Sequence, residues 1–279
     1  MKLFGKTAAK HFCGAFDPRQ PSVAIEELFV RSLAKRSVPF VESEPLFQSY
    51  RSNLLRNSDR NFFLGVSGFR RALDMFTPSA VAWANTSLYY AGFFAAQAIL
   101  GMHGCWVPGP IRRRRVVVGP VKESPGAQAI AVENAFPSSY TGSHQVFWDV
   151  YYKAMTPLAT WAKPEHGSAV LPISNNPLWS IERRNKYNYR SFDSFLLMNR
   201  CRSGFQANRF PTTLEPDVAG QFDLTKALLL YCADSAQEHG LETDVHEGFK
   251  MRGAAIRSLI FNTPTPSLGQ HGQERMLAV

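Results

Sequence analysis

The longest apolar stretch of the chain runs from Thr77 to Gly104, TPSAVAWANTSLYYAGFFAAQAILGMHG, and no charged residue occurs between Thr77 and Ile111. Apolar positions all round predict one buried helix. Thr77 is placed to cap it, Pro78 fits the first helical position, and Gly101 and Gly104 supply left-handed stops. At 1.5 Å per residue this helix spans roughly 37 Å, enough to cross a domain. Asn85, Thr86, Ser87 and Gln97 are costly in hydrocarbon, so the segment is expected inside protein, with no membrane involved. Ala91, Gly92, Ala95, Ala96 and Ala98 suit close approach by neighbouring helices.

The remaining pattern is also mostly helical. Residues 1–21, with Gly5, Gly14, Pro18 and Pro21, read as an arm. Ile25, Leu28, Phe29 and Leu33 predict a helix from a Ser22 cap to Arg36. Ser43 and Pro45 open a second, and Asn61 to Phe76 a third that Gly65 and Gly68 break or weaken. The β-branched run Val116–Val118 predicts a strand, paired with Ala127–Val132 across a turn between Gly119 and Gly126. Ser143 starts a helix to about Trp161, with Phe147, Val150, Tyr151 and Met155 inward and a kink or stop before Pro157. Asn176-Pro177 opens the next. Asp223 is expected to cap Leu224–His239, which Gly240 closes, and Asp244 to cap a last helix through Ile260. The fold class is therefore mainly α, a helical bundle with a small β-hairpin insertion. Residues 1–76 form an N-terminal helical segment, 77–261 the bundle with its insertion at about 105–142, and 262–279 a polar, mobile tail.

At 279 residues, with 45% hydrophobic positions, the chain can bury a substantial core. Cysteines 13, 105, 201 and 232 show no zinc-finger or C-x-x-C spacing, and read as reduced thiols of a cytoplasmic protein. No metal or cofactor is implied. His239, His246 and Glu247 lack a third anchored ligand and read as surface groups. Gly5-Lys6-Thr7 has no upstream glycine to make a phosphate loop, and the N-terminus lacks the apolar run of a secretory signal.

A formal charge of +9 points to an anionic partner, and its distribution is uneven. Seven basic residues (183, 184, 186, 190, 200, 202, 209) stand against Asp193 alone between Arg183 and Arg209, whereas Glu215 to Glu247 holds eight acids against Lys226. Arg112, Arg113, Arg114 and Arg115 precede the first strand. On a strand two would point to each face, as a phosphate-facing rim or as a solvated edge that blocks aggregation.

Two segments, LYYAGFFAAQAILGMHG (88–104) and RNKYNYRSF (184–192), together resemble the HEPN superfamily of helical proteins. Members carry a Y-Y-A-x-F-x-A-A-x-A-L-L-x-x-x-G helix and, further on, an R-x-K-A-D-Y element. Tyr89, Tyr90, Ala91, Phe93, Ala95, Ala96 and Ala98 match the first; Arg184, Lys186 and Tyr189 match the second, with Asn188 at the acid. The resemblance implies an up-and-down bundle, a homodimer, a protein partner, and metal-independent RNA cleavage of the kind used by toxins and anti-phage effectors. It implies catalytic roles for Arg184, Asn188 and Tyr189. The nearby cations Arg183, Lys186 and Arg190, with Arg112 to Arg115, would contact nucleic acid. The chain departs from the family's Arg-x(4 to 6)-His pattern: Tyr189 stands where the histidine is expected, and a phenol is a poor general base near neutral pH. Arg184 and Tyr189 also lie roughly 140° apart on a straight helix, so their joint action needs a helix end near Ser191 or a second subunit. Read without the resemblance, Glu182 and Lys186 form a surface ion pair, the arginines are solvated, and the tyrosines are amphipathic. Two functions follow: an RNA-cleaving effector, or a non-catalytic module that binds nucleic acid or a partner protein.

Overall fold

The computed structural model describes residues 2–17, 22–34, 36–77, 79–108, 116–134, 142–201, 213–243, 246–263 and 267–268. Its centre is a pair of long helices, α3 (Pro45–Asp74) and α4 (Val81–Met102). Gly65 and Gly68 do not break α3. They are where α4 crosses it: a Cβ on Gly65 would lie 3.1 Å from the Ala91 carbonyl oxygen, and one on Gly68 3.3 Å from Ala91 Cβ. The helical cost of two glycines is offset by backbone approach that larger residues forbid. On its other side α4 meets α9 (Pro216–Glu238), with Gly92 against Thr225 and Leu228. Thr225 Oγ1 donates to the Leu88 carbonyl at 2.9 Å, pinning the two helices. The α4 helix is buried on nearly every side, and among the described residues no helix is long and apolar enough to cross a membrane.

The other helices wrap this centre. They are α1 (Lys6–Gly14), α2 (Ile25–Leu28, continuing as a π-turn over Phe29–Leu33), α5 (Ser143–Met155), α6 (Gly167–Val170), α7 (Trp179–Tyr189), α8 (Ser191–Cys201) and α10 (Glu247–Asn262). The hairpin β2 (Val116–Lys122) and β3 (Ala129–Asn134) pairs antiparallel with Val118 opposite Val132. A two-residue strand, β1 (Phe40–Val41), adds to β3 with Phe40 opposite Ile130 and was too short to show a sequence period. Short β4 (Thr213–Leu214) and β5 (Ser267–Leu268) pair in parallel. Phe4 and Phe12 of the N-terminal region share one hydrophobic core with α3, α4 and α9.

Several helix starts differ from expectation. Thr77 does not cap α4: its carbonyl accepts from Ala80 N at 3.1 Å in a preceding turn, and the helix starts at Val81. Pro78 and Asp244 lie outside the described residues. Ser22 does not cap α2, which begins after Ala24. Asp223 is internal to α9, whose cap is Glu215, accepting from Asp217 N at 2.9 Å, with Pro216 in the first turn. Glu215-Pro216 is the same kind of start as Asn176-Pro177, with a less common cap residue. Gly104 and Gly240 do end helices as expected, both with φ of +77°. In each case an i to i−5 bond closes the end, Cys105 N to Leu100 O and Leu241 N to Ala236 O.

Candidate phosphate site at Arg184

Asn176 fixes the start of α7, its Oδ1 accepting from Leu178 N at 2.9 Å. The buried positions of α7 include Ser180, Ile181, Arg184 and Tyr187, an i, i+1, i+4, i+7 stripe that turns Arg184 inward toward α4. The arginine is therefore 8% exposed rather than solvated. The helix ends at Tyr189, Arg190 is extended (φ −115°, ψ 97°), and α8 restarts at Ser191. Ser194 Oγ donates to the Tyr187 carbonyl at 2.5 Å and holds the bend. This bend swings the Tyr189 ring to 5.2 Å from the Arg184 guanidinium carbon. The helix end needed to bring these residues together within one chain is present.

Two further rings complete a cage. Tyr89 and Tyr90 of α4 each lie 5.4 Å from the guanidinium carbon. One guanidinium nitrogen donates to Tyr90 Oη at 2.6 Å and another to Asn185 Oδ1 at 2.6 Å, while Nε is buried without a partner. No carboxylate lies within ion-pair distance of Arg184 among the described residues. Burial works against its charge, but the bond to Tyr90 and the three surrounding phenols outweigh this and raise its pKa further. Asn185, not Asn188, is the amide that orients the guanidinium; Asn188 is half-buried and makes no side-chain hydrogen bond among the described residues.

The structure adds a histidine that the sequence reading missed. His144, in the first turn of α5, places Nδ1 2.8 Å from Tyr89 Oη, and Trp148 Nε1 donates to the same oxygen at 3.2 Å. Tyr89 is fully buried, so its own hydroxyl proton has to be used; with Trp148 donating to the oxygen, that proton goes to His144 Nδ1. His144 is then the Nε2–H tautomer. Burial, and next the Arg184 charge, lower its pKa, so it is neutral near pH 7. The available signal was its place at the head of the α5 aromatic stripe, three and four residues before Phe147 and Trp148; its ring packs on that of Phe93 with centroids 4.5 Å apart.

The other expected contact residues are placed differently. Arg183 Nε and Lys186 Nζ each lie 3.1 Å from Asp217, and Tyr187 Oη donates to Asp217 at 2.7 Å. The acidic C-terminal part thus answers two cations of the basic middle. Burial pushes the Asp217 pKa up, but the bonds from Tyr187 and Lys186 and the charge of Arg183 hold it below the usual range. Arg190 is open to solvent, 3.9 Å from Asp193. Arg112 to Arg115 lie outside the described residues.

A second polar cluster surrounds a cavity of about 40 Å³ lined by Lys6, His103, His166, Asp234, Glu238 and His239 among others. His239 is not a surface group: it is 2% exposed, because the α9 end that Gly240 closes tucks its C-terminal residue against His103 at the corresponding end of α4. Burial first, then the charges of His103, Lys6 and Lys10, push its pKa down to about 3. Among the described residues no three His, Cys, Asp or Glu side chains are arranged to hold a metal ion.

No family model matches this chain, and neither a curated protein nor a solved structure matches it.

Proposed function

We propose that this chain is a HEPN-like helical module that binds RNA by taking a backbone phosphate at Arg184. The support is the charge of that residue, which no carboxylate answers among the described residues. A buried guanidinium without a counter-ion is costly, and other buried or half-buried arginines have acids: Arg51 with Glu42 at 3.6 Å, Arg257 with Glu242 at 3.0 Å, and Arg252 with Asp59. A phosphate oxygen would supply the missing charge. Donors at the cage are the Nε of Arg184, without a partner among the described residues, and the hydroxyl of the exposed Tyr189.

Cleavage is the second reading, favoured by one observation: His144 bonds the hydroxyl of Tyr89, whose ring lies beside the Arg184 guanidinium together with that of Tyr189. In that mechanism Arg184 neutralises charge developing on the scissile phosphate, and a base removes the proton of the 2′-hydroxyl. His144 can be that base only through Nε2, where the Tyr89 and Trp148 bonds keep a proton. Binding without turnover is therefore the better fit.

The test is one incubation of labelled RNA with the protein in excess chelator, for the parent, Arg184→Met and His144→Ala. The proposal expects a complex from which intact RNA is recovered, and loss of the complex in Arg184→Met. Chelator-resistant cleavage that both substitutions abolish would establish the second reading instead. Unchanged binding by Arg184→Met would overturn both.

A further inference from the structure

The helix that follows the Arg184 cage presents apolar side chains in two opposed directions. Leu197 of α8 is buried, and Ser194 ties the helix back to α7. On the other side Phe192 is 70% exposed and Phe195 59% exposed. These two are three residues apart and share a face roughly 170° around the helix from Leu197. Tyr189, 69% exposed, sits at the bend just before them and is also a wall of the cage, 5.2 Å from the Arg184 guanidinium carbon. Three exposed rings thus lead away from a buried cation that has no acid partner among the described residues, and Arg190, whose side chain is 74% exposed, stands between the first two in sequence. Exposed phenylalanines in this number gain nothing from water.

We propose that Tyr189, Phe192 and Phe195 are a stacking ledge for the bases of a single-stranded nucleic acid, whose backbone phosphate enters the Arg184 cage. This rests on the phosphate reading of that cage and narrows its substrate to unpaired strands. Charge selects the occupant. A second copy docked on this ledge through a two-fold axis would bring its own Arg184 and Arg190 toward these cations; among the described residues Arg184 has no carboxylate at ion-pair distance and Arg190 has Asp193 at 3.9 Å. A single strand brings one negative charge per nucleotide and a planar face for each ring. An A-form duplex fits poorly, because its base faces are stacked away and only unpaired bases can be splayed onto side-chain rings.

The experiment measures affinity for a labelled twelve-nucleotide strand and for a hairpin duplex of matching composition. The proteins are the parent, Phe192→Ala/Phe195→Ala and Arg184→Met, with melting temperature and molecular mass recorded for each. The ledge predicts that the parent prefers the single strand. It predicts that the double variant melts as the parent does, loses about 10- to 100-fold in single-strand affinity, and keeps its salt dependence, since no cation was removed. Equal binding of strand and duplex, or an unchanged affinity in the double variant, would overturn the ledge. A parent that is a dimer and a double variant that is a monomer with unchanged strand affinity would assign the ledge to a second copy. Retained binding by Arg184→Met with loss in the double variant would overturn the phosphate reading and leave the ledge standing.

Discussion

Arg184 donates to Tyr90 Oη at 2.6 Å, joining α7 to α4 across 94 residues of sequence. The bond holds a charged group at a fixed place on the central helix. Tyr90→Phe removes the acceptor and leaves that guanidinium edge without a partner. The expected loss is about 1.5 to 3 kcal/mol, the range for a hydrogen bond to a charged group, read as a lowered urea midpoint with an unchanged m value. A midpoint equal to the parent's would mean that water or a shifted Arg184 replaces the bond.

Asp217 offers a change in which stability and binding move in opposite directions. It holds Arg183, Lys186 and Tyr187 together at 2.7 to 3.1 Å. Asp217→Asn should lower the melting temperature and, by freeing two cations beside the Arg184 cage, raise RNA affinity and steepen its salt dependence. Weaker binding in a folded Asp217→Asn protein would show that Arg183 and Lys186 do not reach the nucleic acid.

The glycines of α3 test the packing of the hub. A side chain at Gly65 meets the Ala91 carbonyl and Leu229 at 3.1 Å, so Gly65→Val should cost about 1 to 3 kcal/mol by overpacking. Gly14, at the end of α1, has nothing within 4 Å of its Cβ position among the described residues, and Gly14→Ala should be neutral or stabilise by up to about 1 kcal/mol. Thermal melts of both variants check the contrast; a harmless Gly65→Val would refute close contact between α3 and α4.

Acid should unfold the protein through its buried histidines. His239, His103 and His166 all have pKa values lowered chiefly by burial, His239 to about 3. Their unfolded values lie near 6.5, so the unfolded chain binds more protons below that pH. Their stabilising contribution is complete above about 6.5 and is lost as pH falls toward the folded values. Lys6, Lys10 and the His103 ring face His239 and keep its proton off. Urea unfolding should give a midpoint that falls steadily from pH 7 to pH 5, and His239→Gln should flatten the slope. A midpoint constant over that range would contradict the burial of these rings.

The larger features of this fold could be read from the sequence because they follow from uninterrupted patterns. The apolar run around Leu88 to Ala96 admits no exposed face, and the Val116–Val118 run favours a strand. Gly65 and Gly68 misled because helix propensity is local, whereas the contact with Ala91 that makes glycine useful there is tertiary. At the site, Arg184 and Tyr189 were legible, and so was the condition that the helix must end between them and Ser191. His144 was not, because it reaches Arg184 only through α4, and no spacing along the chain encodes that meeting. Asp217 was equally hidden: charge counting separated a basic middle from an acidic end, and folding brought them into contact.

The central claim is that Arg184 is a phosphate ligand. It is tested most directly by the salt dependence of single-stranded RNA affinity in the parent and in Arg184→Met, which keeps the apolar stem and removes the charge. The account predicts that the variant binds about 10- to 100-fold more weakly at low salt. It also predicts a log-log slope against salt that is shallower by roughly 0.7, one phosphate contact on a single strand. The same affinity and the same slope in the two proteins would contradict it.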